Sequence, residues 1–183
     1  MARVPLLDGR DPAIADLARH LSASRGGRLI NLYRALLHAP PVASAWLDFN
    51  TAIRYGGTLP PGIVELVILR VAALNGADYQ FRVHGPAHAL KAGLRVEQVE
   101  AVREAQLAPG LFDAAQLAAL DCATEITRSL EPAEATWAAM RSHYDARQQV
   151  ELVVLASAYN MHTRVARSLQ LEQEAPAPLP PKA

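Results

Sequence analysis

One cysteine in 183 residues removes two kinds of chemistry at the outset. Cys122 has no second thiol for an internal disulfide, and no cysteine-based zinc site can be built from it. An excess of charge of either sign is also missing: Lys plus Arg number 18, and so do Asp plus Glu. Such a balance exerts no general pull toward nucleic acid or an anionic membrane, so neither is expected as a partner. It leaves little charge repulsion between copies, and a homo-oligomer is expected. No apolar run approaches bilayer length. Asp8 and Asp11 come too early to leave room for a signal-peptide core, so the expected location is the cytoplasm. Neither a Gly-rich phosphate loop nor a nucleophile-elbow motif occurs, which gives nucleotide chemistry and Ser-His-Asp catalysis no foothold.

Hydrophobic residues make up 51% of the chain and charged residues 20%, the composition of an ordinary globular protein. We expect a single all-α domain over 1–174, with its core in 42–129, and a proline-rich extended tail over 175–183. No alternating run bounded by turn signals reads as a strand. Asp11-Pro12 opens a first helix carrying Ile14, Leu17, Ala18 and Leu21, and Gly26-Gly27 follows its end. A second helix runs from about Leu29 to Leu37. A third, from Val42, carries Trp46, Phe49 and Ile53 and stops at Gly56-Gly57. Trp46, Phe49, Tyr55 and Trp137 fit core or subunit-contact roles. Further helices are expected over Val96 to Gln106, Asp113 to Ser129, Glu131 through Met140, and Ala146 to Leu171.

The stretch from Glu65 to Gly93 organises the rest. Thr58-Leu59-Pro60-Pro61 opens an apolar helix with Glu65 in its first turn, Asn75-Gly76 breaks it, and a histidine-bearing helix runs on to a Gly93 cap. Two helices joined by so short a loop must pack as a hairpin, which can bring Glu65 and His84 together. A carboxylate among apolar neighbours has a raised pKa and can hold or deliver a proton, although a first-turn glutamate facing water is the plainer reading. His84 reads equally as a satisfied core histidine or as an acid–base group. His84 and His88 stand at i and i+4, half of a metal site, but no third ligand is fixed by spacing, so a metal-free site ranks higher.

Arg70 and Arg82 are candidate anchors for a substrate carboxylate, with solvated surface charge as the commoner fate. Tyr79 and His88 join them as candidate substrate-binding residues. Tyr159, Asn160, His162 and Arg164 are polar positions in the last apolar helix that could face the same cavity. The run Val64-Glu65-Leu66-Val67-Ile68-Leu69 recurs as Val150-Glu151-Leu152-Val153-Val154-Leu155, through coincidence of composition or duplication of a helical unit.

The stretch ELVILRVAALNGADYQFRVHGPAHALKAG, with LPPGI before it and LRVEQVEAV after it, resembles the carboxymuconolactone decarboxylase and alkylhydroperoxidase AhpD-like superfamily. The earlier NLYRALLHAPPVASAW looks like the N-terminal helical extension of longer members. The resemblance implies an AhpD-like helical-hairpin core and assembly as a trimer or hexamer; the homo-oligomer expected here is a dimer, trimer or hexamer. The peroxidase branch places a Cys-x-x-Cys where this chain has Ala77 and Gln80, so dithiol peroxidase activity is not expected. The decarboxylase branch needs neither cysteine nor cofactor. By resemblance, His84 is the catalytic acid–base residue and Glu65 orients it or shares its proton. The implied activity is a cofactor-free, metal-free lyase acting on a small carboxylated lactone or enolisable acid. The alternatives are a peroxidase-family relative without the redox pair and a non-catalytic helical oligomer.

Overall fold

The computed structural model describes residues 1–24 and 26–172, apart from the side chains of Tyr79, Pro86 and Ala87. The expected tail lies outside the described residues. Among those described, the chain is all-α and forms no strand. Its elements are α1 (Ala15–Ala23), α2 (Asn31–Leu36), α3 (Pro40–Tyr55), α4 (Pro61–Leu74), α5 (Asp78–Val83), a π-helical segment (His84–Ala89), α6 (Val96–Glu104), α7 (Ala114–Ser129), α8 (Glu134–His143) and α9 (Ala146–Ser168). None is long and apolar enough to cross a membrane.

Contacts divide the chain, read in sequence as one domain, into two compact units. The first holds Met1–Phe49 and the residues from Val165 onward. Leu21, Tyr33 and Leu37 are its fully buried side chains, joined by Ala18, Ala43, Trp46 and Leu47. The arm before α1 is tied down by Arg34, which donates to the Leu7 carbonyl at 3.0 Å and the Leu6 carbonyl at 3.1 Å. Asp11 does not cap α1 as expected. Its carboxylate accepts from the Ala13 amide at 2.9 Å in a turn before the helix, which starts at Ala15.

The second unit, Asn50–Arg164, is built around α4. Every residue from Ile63 to Ala72 is buried, so this block of the helix has no solvent face, and α4 packs against α5, the π segment, α6 and α7. Leu66, Val67, Ile68, Leu69 and Val71 are fully buried. At roughly 1.5–3 kcal/mol for each large side chain withdrawn from water, this stretch supplies much of the unit's driving force. Pro61 starts the helix, where its missing N–H costs nothing. Glu65 therefore sits in the second turn, not the first, and is 6% exposed where a helix-start carboxylate would face water.

The amides that enter α4 are held from a distance. Glu151, on α9, accepts from the Thr58 amide at 2.7 Å, the Leu59 amide at 3.1 Å and the Thr58 hydroxyl at 3.2 Å. Its other oxygen takes Arg147 Nε at 2.8 Å. The second copy of the repeated hexapeptide thus fixes the start of the first. At the far end, Gly76 has φ +60° and the Ala77 amide bonds back to the Ala72 carbonyl at 2.8 Å, closing α4 in a Schellman turn that sends α5 back along it.

Candidate functional site

α5 does not continue regularly through the histidines. From His84 to Ala89 the backbone widens into a π turn, a form concentrated at functional sites. Pro86 within this segment has no N–H to give to an α-helical ladder, which accounts for the departure. Gly85 is also constrained: a Cβ there would lie 3.2 Å from Val99.

The widened turn and the second turn of α4 bring Glu65 and His84 together. His84 Nδ1 lies 2.7 Å from Glu65 Oε2, with both side chains 8% exposed. An ionised carboxylate only accepts, so Nδ1 carries the hydrogen and Nε2 is left as the basic nitrogen. The other carboxylate oxygen, Oε1, lies 3.4 Å from a terminal nitrogen of Arg54 at the end of α3. Burial pushes the Glu65 carboxyl up, but the hydrogen bond with His84 and the charges of His84, Arg54 and His88 outweigh it. The net result is a carboxyl below its ordinary value, the reverse of the raised value expected from apolar neighbours.

His88 stands 5.2 Å from His84, ring centre to ring centre. Burial, then the charges of His84 and Arg54, hold its pKa below the ordinary imidazole value against a smaller upward pull from Glu65. The Tyr159 ring meets His84 edge-on at 5.6 Å, and His162 follows at 5.0 Å from Tyr159. Asn160 and Arg164 face elsewhere. Asn160 accepts from Asn75 at 2.9 Å and from Arg164 at 2.8 Å, and donates to Thr127 at 2.9 Å. The polar positions of the last helix therefore split between the histidine cluster and a brace for the end of α4.

Neither of the two arginines expected as carboxylate anchors is the cation that meets Glu65. Arg70 is buried and donates to the Thr124 hydroxyl on α7 at 2.8 Å. Burial and the neighbouring Arg128 lower its pKa against Asp121. Arg82 is exposed. The side chain of Tyr79 lies outside the description. The arginine that does reach the pair is Arg54, which sequence reasoning did not single out. A lone arginine closing an amphipathic helix reads as a cation on a helix C-terminus, which hid its role. Among the described residues, no three His, Cys, Asp or Glu side chains group as metal ligands.

The positions of the redox pair are occupied by other chemistry. Ala77 packs against the apolar core, and Gln80 accepts from the Thr163 hydroxyl at 2.8 Å. Cys122 is fully buried, and burial pushes its thiol up to about 12. A thiolate is the attacking form, so this cysteine is inert in the folded chain.

Residues 40–125 match the carboxymuconolactone decarboxylase family. An uncharacterized peroxidase-related protein from Silicibacter sp. TM1040 superposes with a TM-score of 0.78 at 22% identity, covering 94% of this chain and 91% of that one. An uncharacterized peroxidase-related protein with an alkylhydroperoxidase AhpD core, from Ralstonia eutropha JMP134, gives 0.77 at 20% identity, covering 94% and 92%. A cysteine-to-alanine variant of the debrominase Bmp8, in complex with 2,3,4-tribromopyrrole, gives 0.76 at 17%, covering 96% and 95%. At such identities the structures establish the fold. No curated protein sequence matches. The matched stretch, just under half of the chain, contains the motif around Glu65 and His84 that carries the resemblance.

Proposed function

We propose that the protein is a cofactor-free, metal-free carboxy-lyase that uses His84 as its acid–base group on a small carboxylated lactone or enolisable acid. One observation carries the reading: a buried imidazole whose Nδ1 is fixed on a carboxylate at 2.7 Å, in a chain with no thiol at the two peroxidase positions. The substrate's carbon–carboxylate bond breaks and CO₂ leaves. The electron pair passes into the neighbouring unsaturated carbonyl, giving a dienolate. His84, protonated on both nitrogens, returns a proton to carbon from Nε2 and is recharged by solvent. Glu65 holds the ring in orientation and steadies its cationic form, as a buried carboxylate does for a catalytic histidine. The low pKa of Glu65 suits this role, because it stays ionised while the ring gains and loses its proton.

Assembly as a homo-oligomer accompanies the proposal. Leu90, Val96, Val150 and Met161 are large apolar side chains left exposed in the second unit, which supports it.

The deciding experiment follows CO₂ release from a panel of carboxymuconolactone-type acids with the wild type, His84→Ala and Glu65→Gln. Loss of general acid–base catalysis lowers kcat by about 10²–10⁴-fold in His84→Ala. Glu65→Gln keeps the shape but loses the charge, and falls by at least about 10²-fold. Chelator leaves the wild-type rate unchanged. Turnover that survives His84→Ala would sink the assignment.

A further inference from the structure

We infer that Arg54 is the anion-binding residue of this site, and that it holds the oxygen on which charge gathers, not the carboxylate that departs. The choice of oxygen rests on the carboxy-lyase reading above; the binding of an oxyanion by Arg54 does not. The Arg54 side chain is only 9% exposed, and among the described residues its buried Nε has no hydrogen-bond partner. Its ion contact to Glu65 Oε1 is 3.4 Å, long beside the 2.7 Å between His84 and Oε2. A guanidinium has five donors in a planar fork and no acceptor, so a buried one with an idle N–H is prepared for an anionic oxygen. Glu65 is already shared with the imidazole and does not saturate it.

Charge counting leads to the same place. With His84 neutral, Arg54 and Glu65 cancel. With His84 carrying the proton it delivers, the site is one positive charge in excess and takes one monoanion. Among the neighbouring charged groups, His88 is held toward its neutral form, Arg70 donates to Thr124, and Arg82 and Lys91 are exposed.

The chemistry then selects which oxygen is bound. The carboxylate loses its negative charge as the carbon–carbon bond breaks, so a cation fixed on it would favour the ground state. The carbonyl oxygen of the lactone or ketone gains that charge as the dienolate forms. A cation there strengthens its contact only as the barrier is climbed. Arg54 stabilises the dienolate oxygen, and His84 supplies the proton to carbon.

A planar phenolate mimics such an oxygen without reacting, and 4-nitrophenolate reports its binding by absorbance. Titration of the full chain is expected to show phenolate affinity that falls tenfold or more in Arg54→Met. Neutral 4-nitroanisole binds both proteins alike. Glu65→Gln, which releases Arg54 from its ion contact with that carboxylate, is expected to bind phenolate several-fold more tightly. The double variant Arg54→Met/Glu65→Gln stays as weak as Arg54→Met. If Arg54 merely neutralises Glu65, the double variant regains wild-type affinity and Glu65→Gln gains nothing, which overturns the inference. Absence of phenolate binding in the wild type overturns it as well. Should Arg54→Met fail to fold by circular dichroism, Arg54→Lys keeps the charge without Nε–H. Several-fold weaker binding in that variant supports the assignment, and unchanged binding refutes it. Turnover separates the two claims: phenolate binding lost in Arg54→Met, with no CO₂ released from any acid by the wild type, leaves the anion site standing and removes the lyase.

Discussion

Glu151 offers the most quantitative test of how the site is held in place. Glu151→Ala removes the one carboxylate oxygen that receives the Thr58 amide, the Leu59 amide and the Thr58 hydroxyl. Thr58 is exposed, so water replaces its lost partner at little cost. Leu59 is 9% exposed, and its amide is left without this partner in a part-buried position. A hydrogen bond to a charged group contributes about 1.5–3 kcal/mol, and a buried orphan amide is penalised on a similar scale. The exposed Arg147 contact adds at most about 0.5 kcal/mol. The expected loss is therefore about 2–3 kcal/mol, a fall in Tm of roughly 5–10 °C for a chain of this size. Glu151→Gln keeps an acceptor oxygen and is expected to lose about 1 kcal/mol.

The effect has a pH signature. Burial raises the Glu151 carboxyl, but the hydrogen bonds from Thr58, Arg147 and Leu59 outweigh it and hold the carboxyl below its ordinary value of 4.5. A depressed carboxylate contributes fully above its unfolded pKa and loses that contribution as pH falls through the folded one. Thermal or urea unfolding of wild type and Glu151→Ala should differ fully at neutral pH and converge as the pH falls below 4.5. A difference below about 0.5 kcal/mol at neutral pH, or one that persists undiminished in acid, would refute the argument.

Three further outcomes are expected. His88→Gln should flatten the stability profile as pH falls below 6.5, the ordinary imidazole value. In the wild type His88 titrates below its unfolded value of 6.5, so its contribution is complete above that value and declines as pH falls toward the folded one; unfolding midpoints across the range check this. Cys122 should resist a disulfide-exchange thiol reagent at pH 8 in the native protein and react completely in denaturant. Rapid native labelling would contradict its burial. Gly57→Ala should cost about 1 kcal/mol in urea unfolding, because the new Cβ would lie 2.9 Å from Glu151 Oε2 and displace the cap.

Much of the centre was legible because its signals are local. Asn75-Gly76 demands a positive φ and marks the hairpin, and Gly93 adopts φ +88° where the histidine helix was expected to end. The 19-residue separation of Glu65 and His84 needs only antiparallel packing of two short segments to close to 2.7 Å. The repeated hexapeptide was visible, but the capping task of its second glutamate was not, since it depends on a partner 92 or 93 positions away. Arg54 was missed for the same reason: nothing near it in sequence distinguishes a buried guanidinium from one at a solvated helix end. Pro86 carried the one sequence trace of the π turn, a proline where an α-helix would need an amide. The raised carboxyl pKa expected for Glu65 failed because burial was weighed without Arg54, His84 and His88 beside it.

The enclosure of α4 from Ile63 to Ala72 also governs how freely the sequence can drift. A helix with one wet face can accept substitutions along that face without penalty, whereas Ile63 to Ala72 leaves no such margin. Within this block the apolar positions still tolerate exchanges that keep volume, such as leucine for methionine. Glu65 and Arg70 have no equivalent latitude, because each answers to a charged or hydroxyl partner on another element. Variation in the protein is therefore channelled to its periphery. Two polar letters inside an apolar word are the hardest to respell.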